Sequence, residues 1–165
     1  MRALYLSNVA IHVLAAMLWL GGMFFLGVVG APTLRSIGPA ELRQSLFQQL
    51  GVRFRRVGWW AIGVLIVTGT INLYFRGWLR WDGVLGSQRF WASAAGHALA
   101  LKLIAVAAML VVSSLHDFVL GPRAGSAAPG SPQALALRSQ AARLARLNGM
   151  LGVVVVVAAV WLARA

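Results

Sequence analysis

The sequence predicts an all-α protein: a four-transmembrane-helix bundle with a short amphipathic interfacial helix between spans 1 and 2 and a long fourth helix. Three observations carry that reading. Hydrophobic residues make up 60% of the chain against 11% charged, and mean hydropathy is +0.79, well outside the soluble range of roughly 25% charged. The apolar residues fall into four runs, each near the about 20 residues that a helix needs to cross a bilayer. Four such spans with their connections nearly exhaust 165 residues, so residues 1–165 read as a single integral membrane domain.

Span 1 covers about 3–30 without a charge and is expected to end where Pro32 breaks the helix. Its apolar run is about twice a signal-peptide core, so it reads as a span. Leu42, Leu46, Phe47 and Leu50 follow Gly38-Pro39 at helical spacing, which predicts the short amphipathic helix. Span 2 covers about 57–75. Span 3 covers about 90–120, carries Lys102, and is expected to close at Gly121-Pro122. The Gly/Ala/Ser/Pro-rich stretch 121–130 reads as a flexible loop. Ser131-Pro132 then supplies an N-cap and first-turn proline for a helix that runs directly into span 4, about 147–163.

Charge placement sets the expected orientation. Nine arginines lie in the two connections 35–56 and 123–146, against Arg2, Arg76, Arg80, Arg89 and Arg164 on the opposite side. The positive-inside rule then puts both termini outside a bacterial-type inner (cytoplasmic) membrane, with Trp59-Trp60 at one interface and Trp78, Trp81, Trp91 and Trp161 near the other. The net charge of +12 thus serves topology and lipid headgroups, and nucleic-acid binding is excluded. With no cysteine, disulfides, thiolate metal sites and iron–sulfur clusters are excluded too.

Against this apolar background two ionisable residues stand out. A charge at membrane depth costs about 2.5–3.5 kcal/mol on insertion scales, so His12 and Lys102 mark the expected site. At 1.5 Å per residue both lie roughly 10 Å below the same surface. His97 is one to two turns nearer that surface and about 140° round the helix from Lys102, whereas His116 lies 19 residues beyond His97, roughly 28 Å further along the helix, and cannot share a site with His12. Lys102, Met109 and His116 form one stripe; His12, Ala16, Trp19 and Met23 form another, with Gly21 and Gly22 permitting close helix approach. Thr68, Gly69 and Asn72 form a small polar patch in span 2, read first as helix packing. His116-Asp117 suggests a relay or an oriented ligand, although neighbours on an α-helix point about 100° apart.

Neutral imidazole in a four-helix bundle suits axial ligation of haem. Zinc is disfavoured because three or four ligands do not converge at one depth, and copper(I) because the methionines are dispersed. The expected cofactor is therefore haem b between spans 1 and 3, with His12 on iron and Trp19 lining the site. His97 is the second ligand if iron is six-coordinate. Lys102 is the proton or substrate group or pairs with a propionate, and Arg76, Arg80 and Arg89 also meet the propionates. An open sixth position would instead take a small gas such as nitric oxide or oxygen. Electron transfer with a quinone or redox partner, and self-association, complete the expected partners beside membrane lipid.

The stretch Ile11-His12 followed by Trp19-Leu20-Gly21-Gly22, with Thr68-Gly69 and Asn72, then Lys102-Leu103 and His116-Asp117, resembles the CopD-type membrane domain associated with copper resistance. It is also similar to the HemJ proteins, haem-containing membrane protoporphyrinogen oxidases. The HemJ resemblance implies haem binding at the span-1 histidine and a hallmark lysine in span 3, which map onto His12 and Lys102. This chain has Gly30-Ala31-Pro32 where HemJ proteins carry an Arg-Tyr-His region. Copper transport and protoporphyrinogen oxidation thus stand beside the haem redox reading.

Overall fold

Whether these apolar runs become helices depends on where their polar backbone groups go. In lipid every one must be satisfied within the segment or by a neighbour, and the chain answers with helix throughout. The computed structural model describes residues 2–79 and 83–165; Arg80 and Trp81, named above, lie outside the described residues. The order is α1 (Arg2–Phe25), a π-helical turn (Leu26–Gly30), α2 (Ala31–Arg35), α3 (Ala40–Phe75), a 3₁₀ turn (Val84–Gly86), α4 (Gln88–Trp91), α5 (Ala94–Ser114), a second π-helical turn (Leu115–Leu120), α6 (Gly121–Ser126) and α7 (Pro132–Arg164). Among the described residues four helical stretches are long and apolar enough to cross a membrane. The protein is a multi-pass, all-α membrane bundle, and its outward faces carry exposed Leu14, Met17, Ile104 and Val111 for lipid.

Three boundaries differ from expectation. The amphipathic stretch after Pro39 is not a separate interfacial helix: it is the first half of α3, a single 36-residue helix. Between Leu50 and Val57 the only weak helix former is Gly51, and one interior glycine costs about 1 kcal/mol, too little to end a helix supported on both sides. Neither Pro32 nor Pro122 stops its helix. Proline lacks an N–H and clashes with the carbonyl four residues back, so the residue before each one reaches a residue further: Ala31 N–H bonds the Leu26 carbonyl and Gly121 N–H bonds the His116 carbonyl. The widened turn absorbs the proline and the helix runs on. Consequently much of 121–130 is helical, and the turn is confined to the residues before Ser131, with Gly130 at φ +77°.

The other ends follow their residues. Gly77, at φ +72°, closes α3 in a left-handed cap: its N–H bonds the Tyr74 carbonyl and Trp78 N–H bonds the Leu73 carbonyl, while Leu73 and Trp78 pack on one apolar cluster. Ser93 caps α5 through Gly96 N–H at 3.1 Å, and Ser131 caps α7 through Ala134 N–H at 3.2 Å, as Ser-Pro predicts.

The helices pair as two hairpins, α1 with α3 and α5 with α7, which meet through a lighter α1–α7 contact. Tyr5 against Phe75, Asn8 against Asn72 and His12 against Thr68 give the antiparallel register of the first. Ser113 against Asn148 and Met109 against Gly152 give that of the second. Two apolar clusters result. One near the chain termini joins Ala98, Leu99 and Leu162; a deeper one joins Trp19, Leu20, Ala61, Ile62 and Met109. Gly22, not Gly21, provides the close approach in α1, because a Cβ there would strike the Phe54 ring whereas at Gly21 it would meet open space.

Gly96 is the tightest point of the fold. A Cβ there would collide with the Phe90 carbonyl and the Trp91 backbone, atoms that cannot swing aside as a side chain can. Gly96→Ala is expected to cost about 3 kcal/mol, the upper range for overpacking, read as a lowered melting temperature in detergent. Gly21→Ala, facing open space, serves as the neutral control.

Candidate functional site

The site is built from the first hairpin inward. Asn8 and His12 are four residues apart on α1, and Thr68 and Asn72 are four apart on α3, so each pair presents one face to the other helix. Asn8 Nδ2 donates to the Thr68 carbonyl and to Asn72 Oδ1, each at 2.9 Å. The Thr68 hydroxyl proton is committed to the Val64 carbonyl at 2.6 Å. Its oxygen lies 2.7 Å from His12 Nδ1; with the hydroxyl donating to Val64 it accepts from Nδ1, the arrangement that leaves the neutral ring's lone pair on Nε2. Gly69 flanks this ring: a Cβ there would sit 3.4 Å from His12 Cε1, in ordinary van der Waals contact. Among the described residues no hydrogen bond engages Nε2.

The second hairpin brings Lys102. Trp19 and Met109 belong to the same deep cluster, and His12 and Lys102 each lie seven residues nearer the terminus-bearing end, so they share a level about 10 Å above that cluster. Lys102 is half-buried and within Coulombic range of His12. Arg76 is in turn within range of Lys102; its guanidinium lies 5.0 Å from the Trp78 ring centroid and donates to the Leu162 carbonyl at 3.4 Å. A polar layer of Asn8, His12, Thr68, Asn72 and Lys102 thus lies between two apolar clusters, with Arg76 at its mouth.

The remaining sequence candidates are not gathered here. His97 is exposed on α5, on the side of the helix away from Lys102, so the structure does not bring it to His12 as a second ligand. Trp19 is 5% exposed and lies against Gly58, as core packing two turns deeper. Arg89 is exposed in the short α4. His116 stands at the far end of α5 beside Asp117, with Nδ1 3.0 Å from Asp117 Oδ1, while Trp59 Nε1 donates to Oδ2 at 3.0 Å and Arg55 donates to the Asp117 carbonyl at 2.9 Å. The π-helical turn permits this direct pairing of neighbours, which a regular α-helix disfavours. Sequence reading passed over Asn8 and undervalued Thr68. It also missed Asn148, which is 5% exposed and donates to Ser113 Oγ at 2.9 Å and Met23 Sδ at 3.2 Å.

An imidazole oriented by Thr68 through one nitrogen, with the other left free, could hold the iron of a porphyrin, and the nearby ammonium and guanidinium could meet its two carboxylates. A closed metal site is a poorer match, since no group of three or more histidine, cysteine or acidic side chains converges among the described residues.

The profile of the family described as copper resistance protein D (CopD) matches residues 48–162. The chain belongs to the CopD family. The match takes in Thr68, Asn72, Arg76 and Lys102 of this CopD-family chain but begins after His12. A protein of Aquifex aeolicus (strain VF5) that bears the name "Uncharacterized protein" is 31% identical over 115 residues, 69% of this chain and 68% of its own length. No solved structure matches.

Proposed function

We propose that this CopD-family protein is a membrane b-type haem protein, with His12 Nε2 as the axial ligand and redox chemistry at the bound iron as its activity. The single observation that carries this reading is the 2.7 Å contact between His12 Nδ1 and Thr68 Oγ1, which in the Nδ1–H tautomer leaves the Nε2 lone pair free inside an apolar bundle. When bound, haem supplies one-electron chemistry or a site for a small gas.

This chain's own residues do the rest. Thr68 orients the imidazole through Nδ1, and Gly69 flanks the ring on α3. Asn8 and Asn72 lock the two helices at that level. Lys102 and Arg76 place positive charge where propionates would lie, and Lys102 is the group best placed to hold or move a proton in the layer. The two apolar clusters keep water from either side of it. His97 is exposed on α5 and turned away from this layer, so His12 would be the residue that holds the iron and Lys102 would remain free to hold or move a proton.

The test is an absorption spectrum of the full chain expressed with haem supplied during growth. A Soret band that shifts when the dithionite-reduced protein meets carbon monoxide supports an open-position haem protein. Well-folded protein that is colourless, and stays so on hemin titration, overturns the proposal. A second reading has its own support: the family name concerns copper resistance, and copper at one equivalent per chain without a Soret band would favour it.

A further inference from the structure

At the opposite end of the bundle, far from His12, the projecting half of α3 carries a polar face that α6 borders along one side, where Gln48 lies against Gly125, and that leaves Ser45, Gln49, Arg53 and Arg56 exposed. Ser45, Gln48, Gln49, Val52, Arg53 and Arg56 line an open groove of about 380 Å³. Arg55 turns the other way, onto the Asp117 carbonyl and the Phe118 ring. Arg53 and Arg56 make no ion pair among the described residues. The carboxylates on that end are Asp117, already held by His116 and Trp59, and Glu41, twelve residues from Arg53 and thus roughly 18 Å along the helix.

We propose that this face binds the headgroup of an anionic phospholipid. Depth and phase support it together. Arg56 is the last polar residue before the apolar segment that starts at Val57, which sets it at headgroup level. Gln49, Arg53, Arg56 and Trp60 fall within about 60° of one another around the helix. Trp60, one turn deeper, is 75% exposed, as an interfacial indole is. Below it on the same strip a Cβ on Gly63 would meet open space, and Val67 is 59% exposed, leaving a shallow apolar track for an acyl chain. The arginines take the phosphate by charge-assisted hydrogen bonds, the glutamine amides take its remaining oxygens, and Trp60 meets the glycerol region. This arrangement stands whether or not the protein binds haem.

Native mass spectrometry of the full chain in neutral detergent tests it, with phosphatidylglycerol and phosphatidylcholine of identical acyl chains as probes. Phosphatidylglycerol should bind at least about tenfold tighter than phosphatidylcholine. The double variant R53Q/R56Q should weaken its binding roughly 30-fold, since each arginine near a charged membrane surface contributes about fivefold. R143Q/R146Q, equal in charge but on α7, should change it less than about threefold, and R53K/R56K should keep most of it. Equal affinity of the wild type for the two lipids, equal losses in the two glutamine pairs, or displacement of the lipid by millimolar inorganic phosphate each overturns the proposal.

Discussion

Substitution His12→Ala is expected to yield a protein without haem, colourless under conditions that load the wild type, yet with unchanged helical circular dichroism. The imidazole contributes one hydrogen bond to the first hairpin, to Thr68, and interhelical bonds in membranes average about 0.6 kcal/mol, so folding should barely register its loss. Haem retention should register it completely, because no other described nitrogen ligand lies in that layer except Lys102. Thr68→Val makes the sharper test. It keeps the shape and the helix but removes the acceptor of Nδ1–H, and losing such an outer partner lowers metal affinity by about 10–100-fold. A Thr68→Val protein that holds haem as tightly as wild type would separate the hydroxyl from the ligand's function; a His12→Ala protein with an unaltered Soret band would remove His12 from iron.

Lys102→Leu should move stability and function in opposite directions. An ammonium near the bilayer core costs about 2.5–3.5 kcal/mol on insertion scales. Because Lys102 is half-buried and faces the bundle interior, we expect leucine to recover only about 1–2 kcal/mol of that. In a chain of this size that is roughly 3–6 °C in melting temperature, measured on the detergent-solubilised protein without haem. If the protein holds haem as proposed, loading should fall at the same time, because a positive charge available to the propionates would be gone. A lowered melting temperature would mean instead that Lys102 is held by a partner worth more than its burial costs.

Much of the fold is legible in the residues, and the part that is not has specific causes. The four spans are visible because hydropathy integrates over twenty residues and is indifferent to local detail. The continuity of α1–α2 and α5–α6 is not, because the rule that proline ends a helix assumes bonds to the fourth residue back, and Ala31 and Gly121 reach the fifth. The same change of register hides the His116–Asp117 contact, which regular helical phase argues against. At the site, the common depth of His12 and Lys102 follows from counting along two helices. Their partners do not: Thr68 becomes the acceptor of His12 only through the register in which α1 lies on α3, a property of two segments together. His97 shows the reverse, a residue near in height but on the wrong side of its helix.

The division into two hairpins has a bearing on biogenesis. His12 and Thr68 belong to the pair of helices synthesised first, Lys102 to the pair synthesised second, and what joins the halves besides packing is a handful of contacts such as Trp59 to Asp117 and Asn148 to Met23. Within each pair the helices satisfy their own backbone hydrogen bonds, which is what entry into lipid requires. On the haem proposal, a first half that stood in the lipid with its imidazole already against Thr68 would be open along one flank until the second half docked, an interval in which a bulky planar pigment could slide in sideways without prising apart a finished bundle.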